Sequence, residues 1–553
     1  MRRAHHVGLR ALAACAGLAL GLIAAGGSAL ALAPSGYTGI SGTPQGCAAG
    51  VDADGFAPNQ YLSAYGYSQL QQQGLLGQHE SVALIEIDGF NPSDIRTFAA
   101  CFGLHVPPIH AHAVGIPKLL APGGEATLDL ELLLAAAPEL SSISVYETSP
   151  DAVHVLQALT APLRHPGFPP DVISASLGLC ESDTLGAVGH RGIASAEAAL
   201  ADASAEGISV LGSSGDTGSA ACLQSSGGTT TPVPKLGVIF PASSPWVTAV
   251  GGTNLALNAA NQITGQVVWN DASASPGVAG GGGLSMLFRR PAYQNGVVAA
   301  SHRALPDVAL LSDVEPGYDA YCTATLDCHG RGWMTFGGTS AATPLLAGGF
   351  ALVDELLDQH EEQPLGLANP LIYRFARRPP GGAPVFYDVT SGSNDVGPYI
   401  QADGQPLGCC SAAPGFDEAS GWGGIDLNQF ALDADLAQPA LAQIGLRLAA
   451  HQHPYARRGI AATVSCSGAC DLDVRVKVTI AGQQPFTDYS GLIHERRRTT
   501  ARVRVGFTSA ELSILNLAMH RGRQISANVT AAVVEPSGQV ERQTPTLALP
   551  ITG

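Results

Sequence analysis

The stretch Phe336-Gly-Gly-Thr-Ser-Ala-Ala-Thr-Pro-Leu345 delivers a serine, through a Gly-Gly turn, to the start of an apolar helix. A serine that attacks a carbonyl must expose its oxygen and be held rigidly, and a helix N-terminus behind a glycine turn does both. Ser340 is therefore a candidate nucleophile, with an N-cap serine as the competing reading. A nucleophile needs a base. Gly123-Gly-Glu-Ala-Thr-Leu-Asp129 places Glu125 and Asp129 four residues apart, one helical turn, hence on one face. Alone such a pair is a solvated face, but Leu130 and the apolar run 132–137 bury much of this helix. Two carboxyls close together in a partly buried site can share a proton, which separates their pKa values. Asp216, in Val210-Leu-Gly-Ser-Ser-Gly-Asp-Thr-Gly218, ends an apolar strand in a glycine-serine turn. It reads either as an ordinary turn aspartate or as a group presented to a cleft. No histidine stands in a setting that marks a base; His190 and His302 read as surface residues.

Elements able to position these residues follow from the apolar pattern. Over residues 34–436, strand-like runs alternate with helical segments, which predicts an α/β domain with a parallel sheet. Runs such as Ser81-Val-Ala-Leu-Ile-Glu-Ile87, Val172-Ile-Ser-Ala-Ser176, Ile208-Ser-Val-Leu211 and Gly237-Val-Ile-Phe240 are apolar nearly throughout, as buried parallel strands are. Glycine-rich stretches at 123–124, 251–252 and 280–283 fall between elements, where clefts are built. From 437 to 553 the texture changes to short alternating runs such as Val474-Arg-Val-Lys-Val478 and Ala501-Arg-Val-Arg-Val505, predicting a small C-terminal all-β, sandwich-like domain. Cell-wall or substrate contact and simple stabilisation are the roles open to it.

Composition narrows the classes further. The 553 residues are 46% hydrophobic and 13% charged, enough for a large core, and the net charge of -17 argues against nucleic acid as a partner. Residues 1–33 read as a signal peptide, with Arg2 and Arg3, an apolar run over 11–25 and the small-residue site Ala31-Leu32-Ala33. No later run reads as a membrane span, so a secreted protein is expected. The ten cysteines beyond the signal suit disulfides in an oxidising compartment, with Cys322–Cys328 and Cys466–Cys470 as local loops.

Taken in chain order, Glu125-x-x-x-Asp129, Ser213-Ser-Gly-Asp216 and Gly338-Thr-Ser-Ala-x-x-Pro344 resemble the sedolisins, the serine-carboxyl peptidases. Phe240-Pro-Ala-Ser-Ser-Pro-Trp-Val247, Ala249-Val-Gly-Gly-Thr253, Gly281-Gly-Gly-Leu-Ser285 and Leu305-Pro-Asp-Val308 extend the likeness over roughly residues 45–436. The resemblance implies a subtilisin-like fold, a parallel sheet with helices on both faces, in which glutamate replaces the histidine base. It implies Ser340 as nucleophile, Glu125 as general base and then acid, Asp129 as the group orienting Glu125, and Asp216 as oxyanion stabiliser. The implied activity is acid-acting hydrolysis of peptide or protein substrates; the alternative is a non-catalytic secreted binding or wall-associated protein on the same scaffold.

The resemblance also implies one Ca2+. Tyr387-Asp-Val-Thr390 and Pro414-Gly-Phe-Asp417 are similar to the family's calcium-binding segments, which points to the Asp388 and Asp417 carboxylates with the carbonyls of Val389, Ala413 and Gly415. Oxygen donors of this kind suit calcium. Glu86 stands where some relatives extend the carboxyl network, but Leu177 replaces the tryptophan that accompanies it there. Only residues 34 to about 46 separate the signal from the peptidase-like domain, too few for the propeptide common in relatives, so none is expected.

Overall fold

The computed structural model describes residues 39–553 apart from 165–168, 225–232, 326, 361, 378–382, 438–444, 449–451, 456, 467–469, 484, 491–492, 496–498, 535–539, 544–545 and 549–553. The predicted signal peptide lies outside the described residues. Its largest sheet comprises β1 (Ser81–Glu86), β2 (Ile109–Ala113), β3 (Ser142–Glu147), β4 (Val172–Ala175), β5 (Ser209–Ser213), β6 (Thr248–Leu257), β7 (Ile263–Val268) and β8 (Val308–Leu311). The order is β7-β6-β5-β4-β1-β3-β2, with β8 also on β6. Only β7 runs antiparallel to its neighbour. Strands β4 and β5 are buried at every position, so both faces of the sheet are covered, which is why their sequences do not alternate.

Helix α1 (Glu125–Ala136) is buried at every position after its first residue, and it packs on α3 (Thr339–Gln359). Between them in sequence comes α2 (Glu181–Ala205). By length and composition α3 could cross a membrane, but 94% of its apolar window is buried, which makes it a core helix of the α/β unit. Small residues allow this burial: a Cβ on Gly348 would meet Ala136 of α1 at 2.5 Å, so glycine there lets the helices approach.

The run ending at Phe240 departs from expectation. Ile239–Phe240 pairs antiparallel with Leu179–Cys180, outside the main sheet. Pro241 follows at once and has no amide to continue a ladder.

Among the described residues, four disulfides join Cys47–Cys101, Cys180–Cys222, Cys322–Cys328 and Cys409–Cys410. The Cys322–Cys328 loop is as expected, while the Cys466 and Cys470 side chains are not among those described. The C-terminal residues form a three-stranded sheet, β9 (Gly445–Leu448), β10 (Gly459–Cys466) and β12 (Thr499–Gly506), and a second sheet built on β11 (Cys470–Ile480) and β13 (Ile525–Val534). They share a core of their own around Val464, Val476, Val503 and Val529. This region is not all-β: α4 (Ser509–His520) packs into the same core through Leu512 and Leu515. Its start is written as Thr508-x-x-Glu511, a capping box whose two side chains satisfy each other's backbone amides. Arg191 of α2 bonds Asp488 and Glu511, and Arg475 bonds Asp202, tying the C-terminal sheets to α2.

Candidate active site

The carboxyl ends of β1, β4 and β5 and the starts of α1 and α3 meet at one cleft. Ser340 is the second residue of α3, and Gly338 before it has φ 95° and ψ 159°, a conformation essentially restricted to glycine. The Gly338 amide donates to the Ser312 carbonyl at 2.6 Å, which locks the turn. The Ser340 hydroxyl donates to the Ser176 carbonyl at 3.0 Å, and it lies near enough to Glu125 to lower that carboxyl's pKa.

Glu125 and Asp129 lie on one face of α1, as the spacing predicts. Burial raises the pKa of Glu125 well above the usual carboxylate range; Asp129 raises it further, and Ser340 lowers it. Asp129 is fully buried, and burial pushes its carboxyl up to about 7 against the opposing pull of Ser176 and Glu86. The Ser176 hydroxyl donates to Asp129 Oδ2 at 2.6 Å and lies 3.2 Å from the Ser340 carbonyl. Glu86, at the end of β1, is fully buried, and its pKa is raised first by burial and then by the nearby Asp129 carboxyl. Neither Glu86 oxygen nor Asp129 Oδ1 has a hydrogen-bond partner among the described residues. Buried carboxyls crowded together favour their protonated forms, because both desolvation and like charge oppose ionisation.

Asp216 sits across the cleft on the loop after β5. Its Oδ1 accepts from the Thr339 amide at 2.8 Å and the Thr339 hydroxyl at 2.7 Å, and the same hydroxyl accepts from the Gly215 amide at 3.1 Å. Burial raises its pKa, opposed by the two Thr339 bonds. The glycine stretch at 280–283 backs this loop: Gly281 donates to the Gly215 carbonyl at 2.6 Å, and Ser214 donates to the Gly281 carbonyl at 2.7 Å. A Cβ on Gly281 would lie 2.0 Å from the Ser214 oxygen, which is why this contact is written with glycine.

Structure thus brings Ser340, Glu125, Asp129 and Asp216 together. It adds Ser176 and Asp88, which motif reading passed over. Asp88 caps α1: its Oδ1 accepts from the Ala126 amide at 2.9 Å and its Oδ2 from the Glu125 amide at 3.2 Å. Burial pushes Asp88 up to about 7. A Cβ on Gly123 would collide with this carboxylate at 1.7 Å, so the Gly123-Gly124 turn exists to let Asp88 reach the helix end. The usable signal was a strand ending Glu86-Ile-Asp88 in a chain that also holds a Gly-Gly helix start.

The candidate cation residues also converge. Asp388 Oδ2 accepts from the Gly415 amide and Asp417 Oδ2 from the Ala413 amide, each at 2.9 Å, so both acids close on the 413–415 loop. Asp417 Oδ1 accepts from the Ala419 and Ser420 amides, which fixes its orientation. Among the described residues no three His, Cys, Asp or Glu side chains gather as a metal cluster. A cation held here would take two carboxylates and complete its shell with backbone oxygens, a donor set that fits calcium.

The fold and site define a subtilisin-like α/β protein in which carboxyl groups surround a helix-borne serine. Comparison with known proteins agrees. The Subtilase family model matches residues 146–366. Kumamolisin from Bacillus sp. (strain MN-32) is 32% identical over 405 residues, covering 69% of this chain and 65% of that protein. Human tripeptidyl-peptidase 1 is 32% identical over 361 residues, 60% of this chain and 56% of the relative. This chain therefore spans less than two thirds of the length of these relatives. The solved structure of Pseudomonas sedolisin, a serine-carboxyl proteinase complexed with pseudo-iodotyrostatin, superposes with a TM-score of 0.55 at 23% identity, over 69% of this chain and 98% of the other. In sequence the chain is similar to these peptidases, and its fold is that of the sedolisins.

Proposed function

We propose that this protein is a secreted, acid-acting serine-carboxyl peptidase that hydrolyses peptide bonds through an acyl-enzyme on Ser340. The observation that carries the reading is the placement of Ser340 beside Glu125, with the Asp216 carboxyl bonded to the neighbouring Thr339. Burial and mutual repulsion push Glu86 and Asp129 toward their protonated forms, which leaves Glu125 as the one carboxylate the cluster has to carry when it acts as base. Glu125 takes the Ser340 proton as Oγ attacks the substrate carbonyl carbon. The carbonyl π electrons move onto its oxygen, and protonated Asp216 donates a hydrogen bond to the oxyanion. Collapse expels the amine, which takes its proton from Glu125, and leaves the acyl group on Ser340. Water, deprotonated by Glu125, then attacks the acyl carbon and releases the acid, with the proton returned to Ser340.

Asp129 and Ser176 act through position: one bonds the other, and Ser176 in turn holds the main chain and side chain of Ser340. Acid favours the reaction because an ionised Asp216 would repel the oxyanion. The burial that raises Asp216 extends the useful range above the ordinary aspartate value. A Ca2+ held by Asp388, Asp417 and the carbonyls of Val389, Ala413 and Gly415 would be structural, bracing the 413–421 loop. The four disulfides fit an extracellular protein.

The test is peptide hydrolysis by the purified protein from about pH 3 to about pH 7, beside a Ser340→Ala control. Acid-side activity abolished by the substitution is expected. Activity indifferent to it removes Ser340 as nucleophile, and no activity at any pH favours the binding protein on a peptidase scaffold.

A further inference from the structure

Charge is divided unevenly along this chain. Residues 437–553 hold thirteen Lys and Arg against seven Asp and Glu, whereas residues 1–436 hold fifteen against thirty-eight. One sheet face of this segment carries three of the thirteen with no acid beside them on its strands. Strands β9, β10 and β12 contain no acidic residue. Their inward positions, Ile460, Ala462, Val464, Ala501, Val503 and Val505, are buried. Alternation therefore turns Arg447, Arg502 and Arg504 to the opposite face, where all three are exposed.

Register fixes their spacing. Thr463 pairs with Arg447 on one side and Arg502 on the other, and Ala461 pairs with Arg504. Arg447 and Arg502 are thus two strand spacings apart, about 10 Å, and Arg504 lies about 7 Å further along β12. The hydroxyls of Thr463 and Thr500 stand on the same face, since Thr500 pairs with Ser465 two positions from the Thr463 pair. None of the three arginines forms an ion pair with a described residue, and the acids Asp488 and Glu511 are taken by Arg191. No aromatic residue occupies an outward position of this sheet.

We propose that this face docks the protein onto a linear phosphodiester polymer without nucleobases, of the poly(glycerol phosphate) kind. The guanidinium fork matches phosphate oxygens in pairs and stays charged at any working pH. A polycarboxylate would match the fork equally well at neutrality but loses its charge near pH 4, where the peptidase reading above, on which this choice rests, has the protein at work. Single-stranded nucleic acid is bound by combining charge with aromatic stacking, and this face has no stacking platform. The acidic remainder of the chain repels the same polymer, so attachment would be oriented, with the cleft held away from it.

The experiment immobilises poly(glycerol phosphate) and measures retention of the full chain at about pH 4 and about pH 7, for wild type and for Arg447→Gln/Arg502→Gln/Arg504→Gln, with thermal unfolding as the check on folding. Three phosphate contacts at a salt exponent of about -0.7 each predict wild-type binding roughly 20-fold weaker at 200 mM than at 50 mM salt. The triple Gln variant should bind at least about 10-fold more weakly and lose most of that salt dependence. The matching triple Lys variant should keep the salt dependence while binding more weakly than wild type. Equal retention of wild type and the Gln variant, or salt-independent retention, overturns the proposal. Tighter retention on single-stranded DNA than on poly(glycerol phosphate) overturns it in favour of nucleic acid. Retention requires no catalysis, so a protein that binds without hydrolysing peptides sinks only the peptidase reading, and one that hydrolyses without binding sinks only this one.

Discussion

Gly338→Ala tests whether the turn before the nucleophile positions Asp216 as well as Ser340. A Cβ at this position would lie 2.7 Å from Asp216 Oδ2, against an ordinary contact distance of about 3.5 Å. The carboxyl must retreat by roughly 0.8 Å, and a misplacement near 1 Å costs a reaction about 100-fold. The backbone angles of φ 95° and ψ 159° add a separate cost, about 1–3 kcal/mol of folding stability for a residue other than glycine. The expected variant is folded, melts lower, and has kcat reduced by about 10- to 100-fold. Asp216→Ala alone should cost about 100- to 1,000-fold, the range for loss of one oxyanion donor. If the methyl acts through Asp216, the double variant should be no slower than Asp216→Ala. The assay is kcat with saturating peptide at acid pH, beside circular-dichroism melts of all four proteins. A Gly338→Ala enzyme within about 3-fold of wild type, or penalties that multiply in the double variant, would refute the reasoning.

Stability should be greatest in acid. Burial holds Asp88 and Asp129 up to about 7 and Asp313 up to about 8. From about pH 4, where the unfolded chain ionises, toward these values the folded state binds more protons. Stability therefore falls across that window and levels off above it; a melting temperature that rises from pH 4 to pH 8 would contradict the sign. Chelation with EGTA should lower the melting temperature and added Ca2+ restore it, and Asp388→Asn should abolish the difference; a response equal to wild type in that variant removes Asp388 as a ligand. Arg303 and Asp307 form a fully buried pair at 2.7 Å. Arg303→Met strands the carboxylate and should cost about 3–5 kcal/mol in denaturant unfolding, with an unchanged midpoint as the contrary result.

Much of the α/β architecture was legible in residue pattern because its strands are buried on both faces and its helices are marked by glycine turns. Ile239–Phe240 misled because an apolar run carries no record of its partner, which here is Leu179–Cys180. Helix α4 was hidden among alternating runs although its capping box was present. By itself the sequence determined which residues could do chemistry. Gly338 must adopt a conformation open to glycine, Glu125 and Asp129 must share a helix face, and Ser340 must begin an apolar helix. Only the tertiary structure decided what those residues touch. Ser176 reaches Asp129 across 47 positions and Ser340 across 164, and Glu86 at the end of β1 comes near Asp129 on α1. Spacing along a chain reports neighbours within one element, whereas proton sharing and desolvation depend on distances and burial between elements, which packing alone sets.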